Sequence, residues 1–271
     1  MEDRVHIKRE GNFMDIKNIC QNLYATLNLE RKMVGIKFIF TKEHFEKLDI
    51  PKLNSKVNYC YMVKMASNGR EFKANEENFN CLASARALGM ISSNNYVDSG
   101  QHYGKHGLYD SLATAKKVQK DITFINHSIY GIEIRPLENF IKEPDVVVII
   151  TNPYNVMRIV QAYTYKYGVH KNITLGGNQG ICSECTAVPY ENNDLNISTL
   201  CSGTRFFCKW DECNMGVGFP FNKLKDIENG ILKTLNPTEQ NYKKKEIELK
   251  CNNIENNIDI KYNENYFVNY K

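Results

Sequence analysis

The sequence has no long apolar run. Its longest strongly apolar stretch covers residues 146–150, whereas a transmembrane helix needs about 20 apolar residues in succession. Residues 1–13 are charged and contain no apolar core of the kind that a secretory signal peptide carries. These two absences predict a cytoplasmic protein with no membrane partner.

The motifs of several common enzyme and binding classes are also missing. There is no Walker A motif, dinucleotide fingerprint, G-x-S-x-G elbow, H-E-x-x-H zinc motif or EF-hand loop. Thirty-five basic residues outnumber 31 acidic ones, which leaves a net charge of +4. Because this excess is small and scattered, we expect no nucleic-acid partner. No set of catalytic residues is identified, so the sequence predicts no particular reaction.

The overall composition is that of an ordinary globular protein. Hydrophobic residues make up 42% and charged residues 24% of the 271 residues, which allows a sizeable core. The predicted fold class is α/β, with α+β as the alternative. Two similar α/β halves, residues 14–130 and 131–236, are expected to pack as one unit. Residues 1–13 are interpreted as an N-terminal extension, and the Asn- and Lys-rich residues 237–271 as an extended, weakly packed or disordered tail.

Local patterns predict several elements of these halves. Residues 15–29 carry apolar side chains at helical spacing and predict a first helix. The apolar run within residues 145–151 predicts a buried strand. Asn152 as an N-cap and Pro153 in the first turn predict the start of a second helix. Gly168 is expected to end that helix.

Two segments of the chain look like copies of one unit. Cys60 and Cys81 are 21 positions apart, and Cys182 and Cys201 are 19 apart. In each segment, small residues after the second cysteine lead to an arginine. An internal duplication explains this likeness, and a pseudo-twofold arrangement of the two copies would bring the four cysteines together between the halves.

Cysteine is the residue type that points most directly to chemistry. The chain has nine cysteines, and in a reducing cytosol such residues are more often ligands or reactive thiols than disulfides. Thiolates bind iron–sulfur clusters and zinc, usually four at a time. We therefore expect Cys60, Cys81, Cys182 and Cys201 to be metal ligands. The leading hypothesis is an iron–sulfur cluster for redox or electron-transfer chemistry, with zinc as the alternative metal.

A different class of function also fits these residues. Buried cysteine is common in protein cores, so the four cysteines are also compatible with a purely structural role. The chain would then be a small-molecule or anion-binding module without catalysis. The expected partner is accordingly either a small-molecule ligand or a redox partner.

Two further features are candidates for binding a cofactor. Arg86 and Arg205 follow the second cysteine of each segment; they are expected to favour its thiolate or to hold an anionic ligand, and ion pairing is the alternative. The glycine-rich turn before Cys182 offers backbone amides that suit an anion or a cofactor edge; a plain tight turn is the alternative. Its candidate residues are Gly177, Asn178, Gln179 and Gly180.

Other groupings give weaker signals. Cys182 and Cys185 form a single C-x-x-C, which suits a redox dithiol or half of a zinc site. His102 and His106 are four positions apart, a spacing that suits a metal on a helix, but the surrounding glycines favour a loop. The roles of Cys208 and Cys213 are left open.

The residues of the repeat resemble an uncharacterised prokaryotic family, domain of unknown function 169. The resemblance lies in Cys60, Cys81, the Asn-Gln-Gly of residues 178–180, the Cys-Ser-Gly-Thr-Arg of residues 201–205 and residues 215–221. It extends over about residues 16–236. This resemblance implies one folded unit and a bacterial or archaeal, often anaerobic, setting. It implies no activity.

Overall fold

One antiparallel sheet forms the centre of the fold. The computed structural model describes residues 15–252 and 258–263, so the proposed N-terminal extension lies outside the described residues. The sheet has six strands in the order β2-β3-β1-β4-β6-β5, and every neighbouring pair is antiparallel. The strands are β1 Val34–Ile39, β2 Phe72–Asn75, β3 Gly131–Pro136, β4 Val146–Thr151, β5 Asn196–Ser198 and β6 Met215–Pro220.

Helices cover both faces of this sheet. A π-helix, Gly180–Ala187, interrupts the usual α-helical pattern in the second half. The α-helices are α1 Ile16–Leu27, α2 Lys42–Lys47, α3 Tyr59–Ser67, α4 Leu82–Ala87, α5 Asn95–Asp98, α6 Gln101–Gly104, α7 Leu112–Asp121, α8 Pro153–Tyr167, α9 Val188–Asn192, α10 Ser202–Cys208, α11 Leu224–Lys233, α12 Leu235–Thr238 and α13 Asn241–Asn252.

Side chains of the central strand β4 pack into two separate hydrophobic clusters, one on each face of the sheet. Val146 and Val148 pack into the cluster that includes α3, α4 and the π-helix. Val147 and Ile149 point the other way, into the cluster formed with α1, α8 and α11. Because side chains alternate along a strand, a strand buried on both faces is apolar throughout. The unbroken apolar run in the sequence therefore indicates a strand in a sheet that is covered by helices on both faces.

The sheet consists of two sets of three consecutive strands, β1–β3 and β4–β6, although the predicted boundary at residue 130 assigns β3 to the second half. β1 and β4 pair at the centre, β3 and β6 flank them, and β2 and β5 form the edges. The strand order is thus the same when read outward from the centre in either set of three strands. The mixed helix-and-strand class is confirmed. The duplication itself stays a prediction, which this symmetric order supports.

Helix α8 follows the local signals closely. The Asn152 side chain accepts a hydrogen bond from the Asn155 amide at 2.9 Å, and Pro153 occupies the first turn. The helix ends at Gly168, whose φ of 75° is readily adopted only by glycine. The predicted start and end of this helix are therefore confirmed.

The prediction of an extended, weakly packed or disordered tail is corrected by the structure. Residues 237–252 are not extended: α13 fills most of this stretch, and Ile247 and Cys251 are buried beside Ala25 and Leu235. The Lys244 ammonium also donates to the Lys261 carbonyl at 2.7 Å. The helix has no clear apolar stripe, so its packing depends on tertiary contacts that composition does not show. Residues 253–257 and 264–271 lie outside the described part of the chain.

Candidate cofactor cavity

The four cysteines of the repeat line one cavity of about 590 Å³. Ligand pockets commonly have volumes of about 300–1,000 Å³. The remaining wall is made of aromatic, amide, hydroxyl and imidazole side chains. The lining residues are Asn58, Tyr59, Cys60, Asn80, Cys81, Ser84, His102, Tyr103, His106, Leu108, Asn178, Gln179, Cys182, Cys201, Ser202, Gly203, Thr204, Phe206 and Phe207.

The first half supplies its cysteines from ordinary helices. Cys60 lies in the first turn of α3, and Cys81 is the residue immediately before α4. The buried Tyr59 hydroxyl and the Thr186 hydroxyl share a hydrogen bond of 3.0 Å. This contact ties α3 to the π-helix across the junction of the two halves.

The second half supplies Cys182 from the π-helix. This helix lies very close to β6, where a Cβ at Gly216 would be 2.5 Å from the Cys185 sulfur. A Cβ at Gly218 would overlap the Cys185 carbonyl. The glycines of β6 thus admit a close backbone approach, and the approaching group is the chain's own π-helix.

Two residues beside the cavity have left-handed backbone. Gln179, which precedes the π-helix, has a φ of 51°, and Leu200, which precedes Cys201, has a φ of 66°. A bulky residue such as leucine rarely adopts a positive φ. Such conformations cost about 1–3 kcal/mol and are concentrated at functional sites. Both flank cysteine-bearing segments of the second half.

Cys201 is held by a local hydrogen-bonding pattern. Its sulfur accepts from the Thr204 amide at 3.3 Å and contacts the Thr204 hydroxyl at 3.1 Å. These contacts make Cys201 the N-cap of α10. The same short helix therefore orients one cysteine of the cavity and two aromatic side chains, Phe206 and Phe207.

The cavity thiols lie in a poorly solvated environment. Burial raises the pKa of Cys81 and, more strongly, that of Cys182, and neighbouring cysteines add to both shifts. The pKa of Cys60 is also raised, first by contact with the Cys208 thiol and then by burial. The thiolate that Arg86 was expected to favour at Cys81 is therefore disfavoured, because desolvation by burial is the largest influence on this pKa. All three shifts favour the protonated thiol over the thiolate.

The two arginines lie outside the cavity wall. The Arg86 Nε atom donates to Asp98 at 3.1 Å, and the guanidinium lies over the Phe124 ring. Arg205 instead donates to backbone carbonyls, namely those of Thr199, Asp211 and Asn214. Both side chains are thus engaged by the protein itself rather than presented to a ligand.

The glycine-rich turn binds a carboxylate, but that carboxylate belongs to the chain. The Gly176 and Gly177 amides donate to Glu184 Oε1 at 2.7 and 3.1 Å. Ser198 donates to the other oxygen, Oε2. Burial raises the pKa of Glu184 despite these three donors. The expected anion site is therefore filled internally, and it fixes the turn against the π-helix.

The end of this turn does reach the cavity. Asn178 and Gln179 line it, and Asn178 donates to the Tyr109 hydroxyl. Gln179 donates to Gln119 at 3.2 Å, while its buried Oε1 has no partner among the described residues. Gly180 packs tightly against the backbone before Cys201. Of the predicted loop residues, Asn178 and Gln179 are the ones brought to the four cysteines.

The sequence analysis missed the outer part of the wall. Phe206 and Phe207 are 78% and 56% exposed and meet edge to face, with ring centroids 5.2 Å apart. His102 and His106 also line the cavity, with ring centroids 5.6 Å apart. Burial lowers the pKa of His102, and His106 adds to that shift. The histidine spacing was the one available signal for this region.

The remaining cysteines do not line the cavity, and all nine cysteines are free thiols. Cys185 is fully buried against β6 rather than in the cavity wall, so the C-x-x-C does not face the cavity as a pair. Cys208 is the buried last residue of α10, where its thiol contacts that of Cys60, and Cys213 is exposed. Within residues 15–252 and 258–263, no three His, Cys, Asp or Glu side chains are grouped to hold a single metal ion.

Comparisons with other proteins identify the family. The model of domain of unknown function 169, described as an uncharacterised ArCR family, matches residues 22–230. An uncharacterised protein of Methanocaldococcus jannaschii is 29% identical over 227 residues, which cover 80% of this chain and 95% of that protein. No solved structure matches the chain. None of the helices described is long and apolar enough to pass through a bilayer. The chain belongs to the family of domain of unknown function 169.

Proposed function

We propose that the cavity binds an iron–sulfur cluster through the thiolates of Cys60, Cys81, Cys182 and Cys201, and that the protein acts in redox or electron-transfer chemistry. One observation carries this proposal. Four cysteines from two distant segments of the chain line the same cavity, and four thiolates are the usual ligand set of such clusters.

The raised pKa values are compatible with ligation. A cysteine must lose its proton to bind a metal, so loading releases protons and becomes more favourable as pH rises. The Thr204 amide already donates to Cys201 Sγ. Hydrogen bonds to ligand sulfur and exclusion of water both tune the reduction potential of a cluster. The chain therefore supplies four candidate ligands, one sulfur hydrogen bond and a partly apolar wall.

Zinc has less support than a cluster. A structural zinc ion needs four ligands at about 2.0–2.3 Å from one centre, and no three candidate side chains within the described ranges are grouped in that way. A cluster contains several irons and distributes its cysteines among them, so its ligands need not converge on one point.

The second candidate is a small-molecule-binding module in which the cysteines are structural. The high pKa values of Cys81 and Cys182 favour this alternative, because unreactive thiols suit a passive wall. An anionic ligand is less favoured, since Arg86 and Arg205 are engaged by the protein. For both candidates we propose a cytoplasmic location, where reducing conditions keep the cysteines free.

Metal analysis of protein made without oxygen tests the proposal. The full chain is purified anaerobically, and iron, acid-labile sulfide, zinc and the visible spectrum are measured. We expect a brown protein with matching iron and sulfide and a spectrum that bleaches on reduction. Colourless protein without iron, including after reconstitution with iron and sulfide, would rule out the cluster. One zinc per chain in colourless protein would support the alternative metal.

A further inference from the structure

The opening of the cavity is apolar. Phe206 and Phe207 project from α10, and Leu108 contributes a third apolar side chain, 44% exposed. Large apolar side chains exposed together are unusual on a soluble surface and commonly mark a binding site. Because these residues line a cavity rather than a flat surface, a small molecule fits the position better than a folded partner.

The cavity wall has no permanently charged side chain. Among the residues that the structure places in its wall there is no lysine, arginine, aspartate or glutamate. His102 and His106 contribute imidazoles to the wall, and burial lowers the pKa of His102, which favours its uncharged form. Bringing a charged ligand into such a wall loses hydration without providing an ion pair. The polar groups present are amides and hydroxyls, which suit uncharged hydrogen-bonding groups.

From this wall we infer that the cavity takes up an uncharged, largely apolar small organic molecule through the opening formed by Phe206, Phe207 and Leu108. That this molecule is the substrate of the cluster rests on the proposed function; its binding does not. Its apolar part contacts the aromatic opening, and its polar groups lie among Asn58, Asn80 and Asn178.

A matched pair of fluorescent probes tests the charge requirement. N-phenyl-1-naphthylamine is uncharged, and 1-anilinonaphthalene-8-sulfonate is the same ring system with a sulfonate. Each is titrated into the full chain, with and without iron. The uncharged probe is expected to bind at one site with a Kd at least tenfold lower than that of the sulfonate, since the wall has no cation to pair with it.

Variants locate the binding site. Phe207→Asp places a carboxylate in the opening and is expected to raise the Kd of the uncharged probe at least tenfold. Ile141→Asp is the control, because Ile141 is 78% exposed and lies outside the cavity wall. Leu108→Asp provides a second test should Phe207→Asp fail to fold, which circular dichroism reports. Both substituted side chains are already partly exposed.

The outcomes separate this inference from the proposed function. Tight binding of the uncharged probe, weakened by Phe207→Asp or Leu108→Asp and not by Ile141→Asp, supports the inference whether or not iron is present. Equal Kd values for the two probes, no binding of the uncharged probe, or a Kd that neither Phe207→Asp nor Leu108→Asp changes would overturn the inference. Loss of the cluster is read separately, from the iron and sulfide content of the same samples.

Discussion

The two halves of the cavity wall are built in different ways. The first half presents Cys60 and Cys81 from regular helices, α3 and α4. The second half presents Cys182 from a π-helix and places Cys201 directly after the left-handed Leu200. Similar cysteine spacing in the sequence is therefore realised by relaxed backbone on one side and by constrained backbone on the other.

The sheet explains part of this difference. Ile134 of β3 pairs with Ile36 of the central strand β1, and Gly218 of β6 pairs with Val148 of the central strand β4. A side chain fills the first position, whereas backbone of the π-helix fills the second. π-helical turns often occur at functional sites. The position of Cys182 consequently depends on the absence of a side chain at Gly218.

The largest expected effect comes from adding that side chain. In Gly218→Ala the new Cβ overlaps the Cys185 carbonyl, and backbone cannot move aside as a flexible side chain would. We expect a loss of about 3 kcal/mol or more, at the upper end of overpacking costs. Chemical denaturation measures the free energy of unfolding.

Ile134→Val, in β3 on the other side of the sheet centre, is the matched control. It removes one methylene and is expected to cost about 0.5–1.5 kcal/mol. If Gly218→Ala costs no more than this control, the contrast between a constrained and a relaxed half is wrong.

A smaller effect is expected from Glu184, which fixes the turn before the π-helix. Burial raises its pKa, so the folded state holds the proton more tightly than the unfolded state does. The stability associated with this group is fully present below its ordinary pKa and is lost as pH rises through the raised pKa. Glu184→Gln retains an oxygen for the Gly176 and Gly177 amides but does not ionise.

Melting temperatures test this pH dependence. Relative to the wild type, the melting temperature of Glu184→Gln should rise by about 2–4 °C between about pH 5 and pH 8. This is the shift produced by about 1 kcal/mol in a chain of this size. A constant difference in melting temperature across this range would show that ionisation of Glu184 does not destabilise the folded state. Glu43→Gln, which alters an exposed carboxylate of the first half, is measured in parallel as the control variant.

The smallest effect is expected from Gln179. Gln179→Gly relieves the cost of a positive φ and loses the hydrogen bond to Gln119. The two changes partly cancel, so we expect a net change within about 1 kcal/mol in the free energy of unfolding. Binding of the uncharged probe should weaken, because the turn that lines the cavity becomes less ordered. Unchanged binding would show that the strained turn does not shape the cavity.

Local signals were sufficient where structure is set by neighbouring residues. Helix α8 has its cap, its proline and its terminal glycine within the segment itself, and β4 is a continuous apolar run. The likeness of the two cysteine segments also pointed to residues that line one cavity. This likeness was more informative than a single cysteine pair, because one explanation had to account for both segments.

The remaining features depend on contacts between distant residues. Asp98 engages Arg86, and Glu184 occupies the glycine-rich turn, and neither pairing follows from spacing along the chain. The π-helix depends on the glycines of β6. Helix α13 depends on packing beside Ala25. Phe206 and Phe207 look like ordinary helix residues until α10 is placed beside the cavity.

Iron content in single-cysteine variants tests most directly whether the four cavity sulfurs act together. Cys81→Ser and Cys182→Ser, one from each half, are purified anaerobically beside Cys20→Ser, which alters a buried cysteine of the opposite core. The account predicts that both cavity variants lose most of their iron while Cys20→Ser retains wild-type iron. Wild-type iron in Cys81→Ser or Cys182→Ser would contradict it.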